Sequence, residues 1–264
     1  LSLPPRTQTG RADGKAPHTP AFPGASDRYE LRPIGIIRSC YKDKFGVPRQ
    51  PGLVTAAEAR LELFDDLVRE ESLAGLKGFS HLWLIFVFHL CLGAGWKPAV
   101  RPPRLGGNRK VGVFASRSPF RPNPIGLSAV ELVGIERDGK NLSLRLRGAD
   151  MVDGTPVLDI KPYVPYADAL PDAAAGFATE PPRDDRPVNF TPEARRQILD
   201  ADPAGDLRLA LLIEQILRQD PRPAYMDRRS ARTDFGMRLY ELNVKWSLTG
   251  DGAMVTAVLP IGVE

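Results

Sequence analysis

Between Ser72 and Val130 the chain carries no aspartate or glutamate. A solvated face with balanced charge would mix both signs, so this interval leaves one face open to negative charge. Cysteine is nearly missing as well. Cys40 and Cys91 are the only two and have no CxxC spacing, which argues against a disulfide framework or a zinc ribbon and fits reduced thiols in a cytoplasmic protein. Long apolar runs are lacking: Leu82 to Leu92 is interrupted by His89 and falls far short of the ~20 residues of a spanning helix. Residues 1–28 have no apolar signal-peptide core and read as a disordered tail. No dinucleotide fingerprint is present, because Gly93-Ala94-Gly95 runs into Trp96-Lys97-Pro98. Gly106-Gly107-Asn108-Arg109-Lys110 lacks Walker spacing, and the G-x-S-x-G elbow is absent. His81, His89 and Cys91 share one strand parity. On a strand rising ~3.3 Å per residue the two histidines stand about 26 Å apart, too far to share an ion, so no metal is expected.

The acid-free interval does contain Lys77, Lys97, Arg101, Arg104, Arg109, Lys110, Arg117 and Arg121. The whole chain of 264 residues has a net charge of only +4, so the remainder is net negative. A nucleic-acid footprint must therefore come from clustering. Arg117-Ser118-Pro119-Phe120-Arg121-Pro122-Asn123-Pro124-Ile125-Gly126 holds three prolines, each fixing φ near −65° and barring its predecessor from helix. Arginines on so stiff a loop lose little freedom when they grip an anion.

Short alternating or β-branched segments set off by Gly/Pro turns predict strands. They are Arg32–Ser39, Ala59–Leu63, Leu82–Leu90, Val111–Ala115, Ile125–Val133, Leu142–Arg147 and Val157–Tyr163. Leu82–Leu90 is apolar on both parities, compatible with a strand covered on two faces or a buried helix, and its aromatic and branched content favours strand. So many short strands without alternating long helices predict a mainly β barrel or sandwich over residues 29–170, not a Rossmann sheet. Residues 171–190, rich in Pro, Ala and Asp, read as a linker. Residues 191–264 read as a small α+β domain. Thr191-Pro192 caps a helix, Leu209, Leu212, Ile213, Ile216 and Leu217 share a helix face, and Leu239–Leu248 pairs with Met254–Leu259 as a hairpin. Asp150 and Asp153 flank a turn-rich stretch, where Asp153-Gly154 signals a turn and the two acids are also candidates for a pocket edge.

Six blocks in order carry a resemblance. They are Ile34–Ser39, Val47-Pro48-Arg49-Gln50-Pro51-Gly52, Phe79–Trp83, Arg101-Pro102-Pro103-Arg104-Leu105-Gly106-Gly107-Asn108, Arg121–Gly126 and Asp150–Pro156. Together they resemble the TsaA-like, or TrmO, family of tRNA methyltransferases over about Tyr29 to Tyr166, with a weaker continuation in Asp220–Tyr225 and Leu239–Trp246. The resemblance implies a β-barrel methyltransferase, usually a homodimer, that uses S-adenosylmethionine. The implied substrate is the tRNA anticodon loop, where threonylcarbamoyladenosine (t6A) 3′ of the anticodon becomes its N6-methylated form. It also implies cofactor contacts at Pro48, Arg49, Gln50, His89, Leu90, Arg117, Leu127, Gly154, Thr155, Pro156 and Val157, with Leu90 and Leu127 acting through backbone.

The N6 of t6A belongs to a purine and a urea, so its lone pair is delocalised and its proton acidic. An acceptor for that proton would contribute about 10²–10⁴-fold. The expected acceptor is Asp153, or Asp150 beside it, with the Asn123 amide or carbonyl as a second. Arg101, Arg104, Arg109, Lys110 and Arg121 are the expected phosphate contacts, with Arg222, Tyr225, Arg228 and Arg229 adding a surface from the second domain. Two other readings compete: an RNA-binding barrel without catalysis, and a methyltransferase for a small metabolite.

Overall fold

A computed structural model describes residues 29–106, 108–182, 184–222, 233–250 and 252–262. The expected tail 1–28 and the expected contacts Tyr225, Arg228 and Arg229 lie outside the described residues. Residues 32–264 form one unit.

Eight strands come first: Gly35–Ser39 (β1), Glu58–Leu63 (β2), His81–Val87 (β3), Ala99–Val100 (β4), Val111–Gly112 (β5), Ile125–Asp138 (β6), Asn141–Arg147 (β7) and Pro156–Pro162 (β8). Six of them close an antiparallel barrel in the order β1-β2-β7-β6-β3-β8. Cross-strand register explains the closure. Ile37 faces Leu61, Leu61 faces Leu144, and Phe86 faces Val157, so the inward parity of each strand meets its neighbour's. Ile37, Leu61, Leu82, Leu84, Leu144, Leu146 and Val157 are wholly buried. Each such side chain contributes about 1.5–3 kcal/mol. Outside, Arg38–Glu62, Arg60–Glu136 and Arg147–Glu131 pair across strands, exposed enough to add little stability.

Several boundaries differ from the sequence expectation: the first strand starts at Gly35, and the expected Val111–Ala115 strand ends at Gly112 and turns 3₁₀ over Val113–Ala115. β3 stops at Val87, because its partner Ile125 follows Pro124. Pro124 has no N–H to extend the ladder; its carbonyl instead accepts from Phe88 N, 2.8 Å away. His89 and Leu90 consequently lie in a 3₁₀ turn, His89–Ala94, and not in the strand. β6 runs past Val133 to Asp138, since a bulge between Leu132 and Gly134 restores its register with β7. The expected Leu239–Leu248 strand starts only at Leu242, as Leu242–Thr249, after a turn with Tyr240 at φ 53°; the strand before that turn, Asp234–Leu239, was not expected beyond its last residue.

The second part holds a parallel pair between Val188–Phe190 (β9) and Gly252–Pro260 (β12), and the meander of Asp234–Leu239 (β10), Leu242–Thr249 (β11) and β12. β9 falls inside the stretch expected as a linker. A short helix, Pro165–Asp168 (α1), precedes it, and Pro192–Ala201 (α2) and Leu209–Arg218 (α3) follow. Thr191 caps α2 through its hydroxyl, which accepts from Ala194 N at 3.1 Å, with Pro192 at the first helical position. All five expected apolar residues of α3 are buried. The core they enter also takes Cys40, Tyr41, Val54, Ala56 and Ala57 from the connection between β1 and β2. That connection is shared property of the two halves.

Candidate active site

The β1–β2 connection, residues 40–57, is a hub. Lys44 Nζ donates to Leu90 O at 2.9 Å, fastening it to the 3₁₀ turn after β3. Gln50 Oε1 accepts from the Arg117 guanidinium, fastening it to the proline loop. Arg49 donates to the carbonyls of Asp220 and Arg222 at 3.3 and 3.0 Å, and Gln219 donates to Leu53 O at 2.7 Å, fastening it to the end of α3. Expected cofactor residues from three separate blocks thus meet around one loop.

Asp150 and Asp153 behave differently. Asp153 is spent on structure: Oδ1 accepts from Ser39 N at 2.9 Å and Oδ2 pairs with Lys42 Nζ at 3.2 Å. Its own N–H donates to Tyr41 O and that of Gly154 to Ile37 O, so this turn locks β8 to β1. Gly154 allows the lock because it holds φ 79°, a value costly for any residue with a Cβ. Asp150 is half-buried, and one oxygen accepts from the buried Ser128 hydroxyl at 2.7 Å. Burial pushes its carboxyl up from 3.8 to about 6, against the downward pull of Ser128 and of the Arg117 charge. A group poised there can exchange a proton near neutral pH. The Tyr41 phenol, whose titration burial moves upward and the Asp150 charge further so, is buried without a hydrogen-bond partner among the described residues.

His89 is shifted down, first by burial and then by the Lys44 charge, which favours the neutral imidazole. Thr155 and Val157 are buried, the Thr155 hydroxyl donating to Val152 O at 2.6 Å. Their side chains face the core, and the Gly154 N–H, the Thr155 N–H and the Thr155 and Val157 carbonyls are already paired within the protein. Pro48 and Pro156 are half-buried, whereas Leu90 and Leu127 are 47% and 54% exposed. Asn123 is exposed and its carbonyl already accepts from Ile125 N at 2.8 Å, so that oxygen is a poor second acceptor.

Beside Arg117 opens a cleft of about 1870 Å³. Arg49, Gln50, Lys97, Arg101, Arg104, Lys110 and Arg117 line it, together with Phe177, Glu180 and Asp185. Arg101, Arg104, Arg109 and Lys110 are exposed, and none forms an ion pair among the described residues; Arg109 lies outside the cleft lining. Two expected phosphate contacts are corrected. Arg121 turns inward, donating to Ser116 O at 2.7 Å and Val113 O at 3.2 Å. Arg222 is buried against Asp220 at 2.6 Å and packs over the Phe235 ring. Asp220, despite the opposing effect of burial, is held low by Arg222 and Arg186.

The family model of the tRNA-methyltransferase O N-terminal domain matches residues 36–169, and that of the TrmO C-terminal domain matches residues 183–261. The chain belongs to the tRNA-methyltransferase O family. An Escherichia coli K12 relative, tRNA (adenine(37)-N6)-methyltransferase, is 47% identical over 232 residues, covering 88% of this chain and 98% of that protein. A Pseudomonas aeruginosa relative, whose given name is that of an S-adenosylmethionine-dependent methyltransferase, is 50% identical over 218 residues and covers 83% and 92%. The crystal structure of TrmO from P. aeruginosa superposes with a TM-score of 0.72 at 42% identity, over 89% of this chain and 98% of that one. The barrel expected from the resemblance is therefore the family's fold.

Within this TrmO-family chain, sequence reading passed over Ser128 and Lys44. Ser128 stood out in principle, as a hydroxyl at an inward parity position of β6 between Gly126 and the buried Val130. Lys44 gave no signal, because its acceptors Leu90 O and Cys91 Sγ lie far along the chain.

Proposed function

We propose that this chain transfers the methyl group of S-adenosylmethionine to N6 of the adenosine at position 37 of tRNA, and that the adenosine it accepts is t6A. The observation that carries the reading is two pairs, Gln50–Arg117 and Ser128–Asp150. The Arg117 guanidinium lines a basic cleft, and its charge reaches a carboxyl raised to about 6.

The donor set suits the cofactor. Arg117, aimed by Gln50, offers a planar cation for a carboxylate. The exposed Leu90 and Leu127 offer apolar surface, and the Gly154 turn offers backbone without a Cβ in the way. When bound, the cofactor supplies an activated methyl on a sulfonium centre. Asp150 accepts the N6 proton of t6A as the nitrogen is alkylated, and its oxygen toward Ser128 stays fixed by the hydroxyl. Arg117 pulls the Asp150 titration down against burial while serving the cofactor. Asp153 holds the β8 turn in place and takes no proton. Arg101, Arg104, Arg109 and Lys110 contact tRNA phosphates.

Two further points belong to the same reading. The outer parity of β3 and β6 presents Ile85, Val87, Ile125 and Leu127, with Ile125 and Leu127 40% and 54% exposed, and this apolar stripe is the face through which a homodimer forms. Among the described residues no helix is long and apolar enough to cross a membrane. The enzyme works beside its tRNA in the cytoplasm.

The test is nucleoside mass spectrometry after incubating the protein with S-adenosylmethionine and either t6A-bearing or t6A-free tRNA. Methylated t6A is expected from the first and nothing from the second. Equal methylation of both would refute the t6A requirement. Binding of tRNA without any methyl transfer would return the chain to the non-catalytic reading.

A further inference from the structure

Phe114 is 74% exposed, the most exposed of the large apolar residues lining the basic cleft. An aromatic ring held in water is costly unless something covers it, and here the chain holds it there firmly. Phe114 sits in the 3₁₀ turn Val113–Ala115, with Val113 buried beneath it. Val113 N donates to Pro98 O at 3.0 Å, and Val113 O accepts from Ser116 Oγ at 2.8 Å. Arg121 ties off the other side through Ser116 O, and its guanidinium carbon lies 5.4 Å from the Phe114 ring centroid. Arg121, with one guanidinium nitrogen engaged on its own loop, is thus a brace beside an outward-facing ring.

We propose that Phe114 is a stacking platform for an unpaired base of the tRNA anticodon loop, with Arg121 as its positioning residue. This rests on the reading of the cleft as the tRNA-binding face. The chemistry around the ring favours that occupant over an apolar protein segment. Lys97, Arg101, Arg104, Lys110 and Arg117 share the same cleft, and the stretch from Ser72 to Val130 that carries them has no acid. Cations tracking a backbone beside an aromatic face form the usual arrangement for single-stranded nucleic acid, where each base offers a π-face and the phosphates pass alongside. The lining also includes Glu180 and Asp185, which a phosphate backbone would avoid.

The experiment measures affinity for an anticodon stem-loop RNA and for a fully paired RNA duplex by fluorescence anisotropy, over a range of salt. Phe114→Ala should weaken stem-loop binding by about 5- to 100-fold, the range of one lost base stack. It should leave the salt slope, duplex affinity and the S-adenosylmethionine isotherm unchanged, and Phe114→Tyr should retain wild-type affinity. Arg121→Ala should weaken the stem-loop in the same selective way, whereas Arg104→Ala should weaken both RNAs and lower the slope. If Phe114→Ala binds the stem-loop like wild type while Arg104→Ala is impaired, the stacking role fails and the cleft reading stands. If wild type binds with no salt dependence and Arg104→Ala is silent, the cleft reading itself fails. A change in sedimentation of Phe114→Ala, or a weakened cofactor isotherm, would assign the ring to a subunit contact or to the cofactor and overturn the proposal.

Discussion

Replacing Asp150 by asparagine should abolish methyl transfer and yet make the protein more stable at pH 8. Burial raises this carboxyl from 3.8 to about 6. At ~1.36 kcal/mol per pH unit, its charged form therefore costs the native state up to about 3 kcal/mol. Solvent reaching its half-exposed edge lowers the realistic figure to about 1–3 kcal/mol. The folded pKa lies above the unfolded one, so the native state binds the proton more tightly between the two. Wild-type stability therefore falls as pH rises from about 4 to about 6, and the loss is complete above that. Asparagine never ionises, and its carbonyl can still accept from Ser128. The variant should melt about 2–12 °C higher at pH 8, taking ~2–4 °C per kcal/mol for a chain of this size, with the gap shrinking to about a third of that at pH 4.5. Paired thermal melts at the two pH values, with a turnover assay on the same preparations, decide the matter. A variant no more stable at pH 8, or a gap undiminished at pH 4.5, would show that Asp150 is not held under a burial cost.

Wild-type turnover should rise about tenfold per pH unit up to about 6 and level off above, since only ionised Asp150 accepts the proton; a rate flat from pH 5 to 8 would exclude it as the base. Arg117→Ala should weaken cofactor binding several-fold by calorimetry, and Gln50→Ala should do so less, because it only aims the guanidinium. An unchanged Arg117→Ala isotherm would remove that residue from the cofactor site. Gly126→Ala should destabilise the barrel by about 1–3 kcal/mol in a urea titration, because the new Cβ would stand 2.3 Å from the Phe86 ring. Wild-type stability in that variant would mean the ring can move aside. Log affinity for tRNA should fall against log salt by ~0.7–0.9 per phosphate contacted, and a flat line would rule out Arg101, Arg104, Arg109 and Lys110 as contacts.

The barrel was legible in the sequence because half-buried strands write their parity plainly, as in Ala59-Arg60-Leu61-Glu62-Leu63, where every second residue enters the core. Endpoints set by distant partners were not. Nothing local ends β3 at Val87; the cause is Pro124, across the β6 pairing. The Tyr240 turn carries no glycine, proline or asparagine, so the expected strand ran across it and the strand before it went unread. The site shows the same division. Blocks revealed which residues matter, but charge counting could not distinguish an arginine facing solvent, such as Arg104, from Arg121 folded onto its own loop carbonyls. Nor could spacing tell Asp150 from Asp153, since the difference lies in Ser128, Ser39 and Lys42.

The shared β1–β2 connection also sets the order in which the molecule is completed during synthesis. β1 finds one neighbour in β2 at once, but its other, β8, is translated more than a hundred residues later. Tyr41, Val54 and Ala56 must wait for α3 and for β12, close to the end of the chain, before they are covered. At ~5–20 residues per second that interval is on the order of tens of seconds. Throughout it an apolar hub is exposed on the ribosome, where it is a natural client for chaperones. The loop that gathers the active site is made well before the elements that finish it.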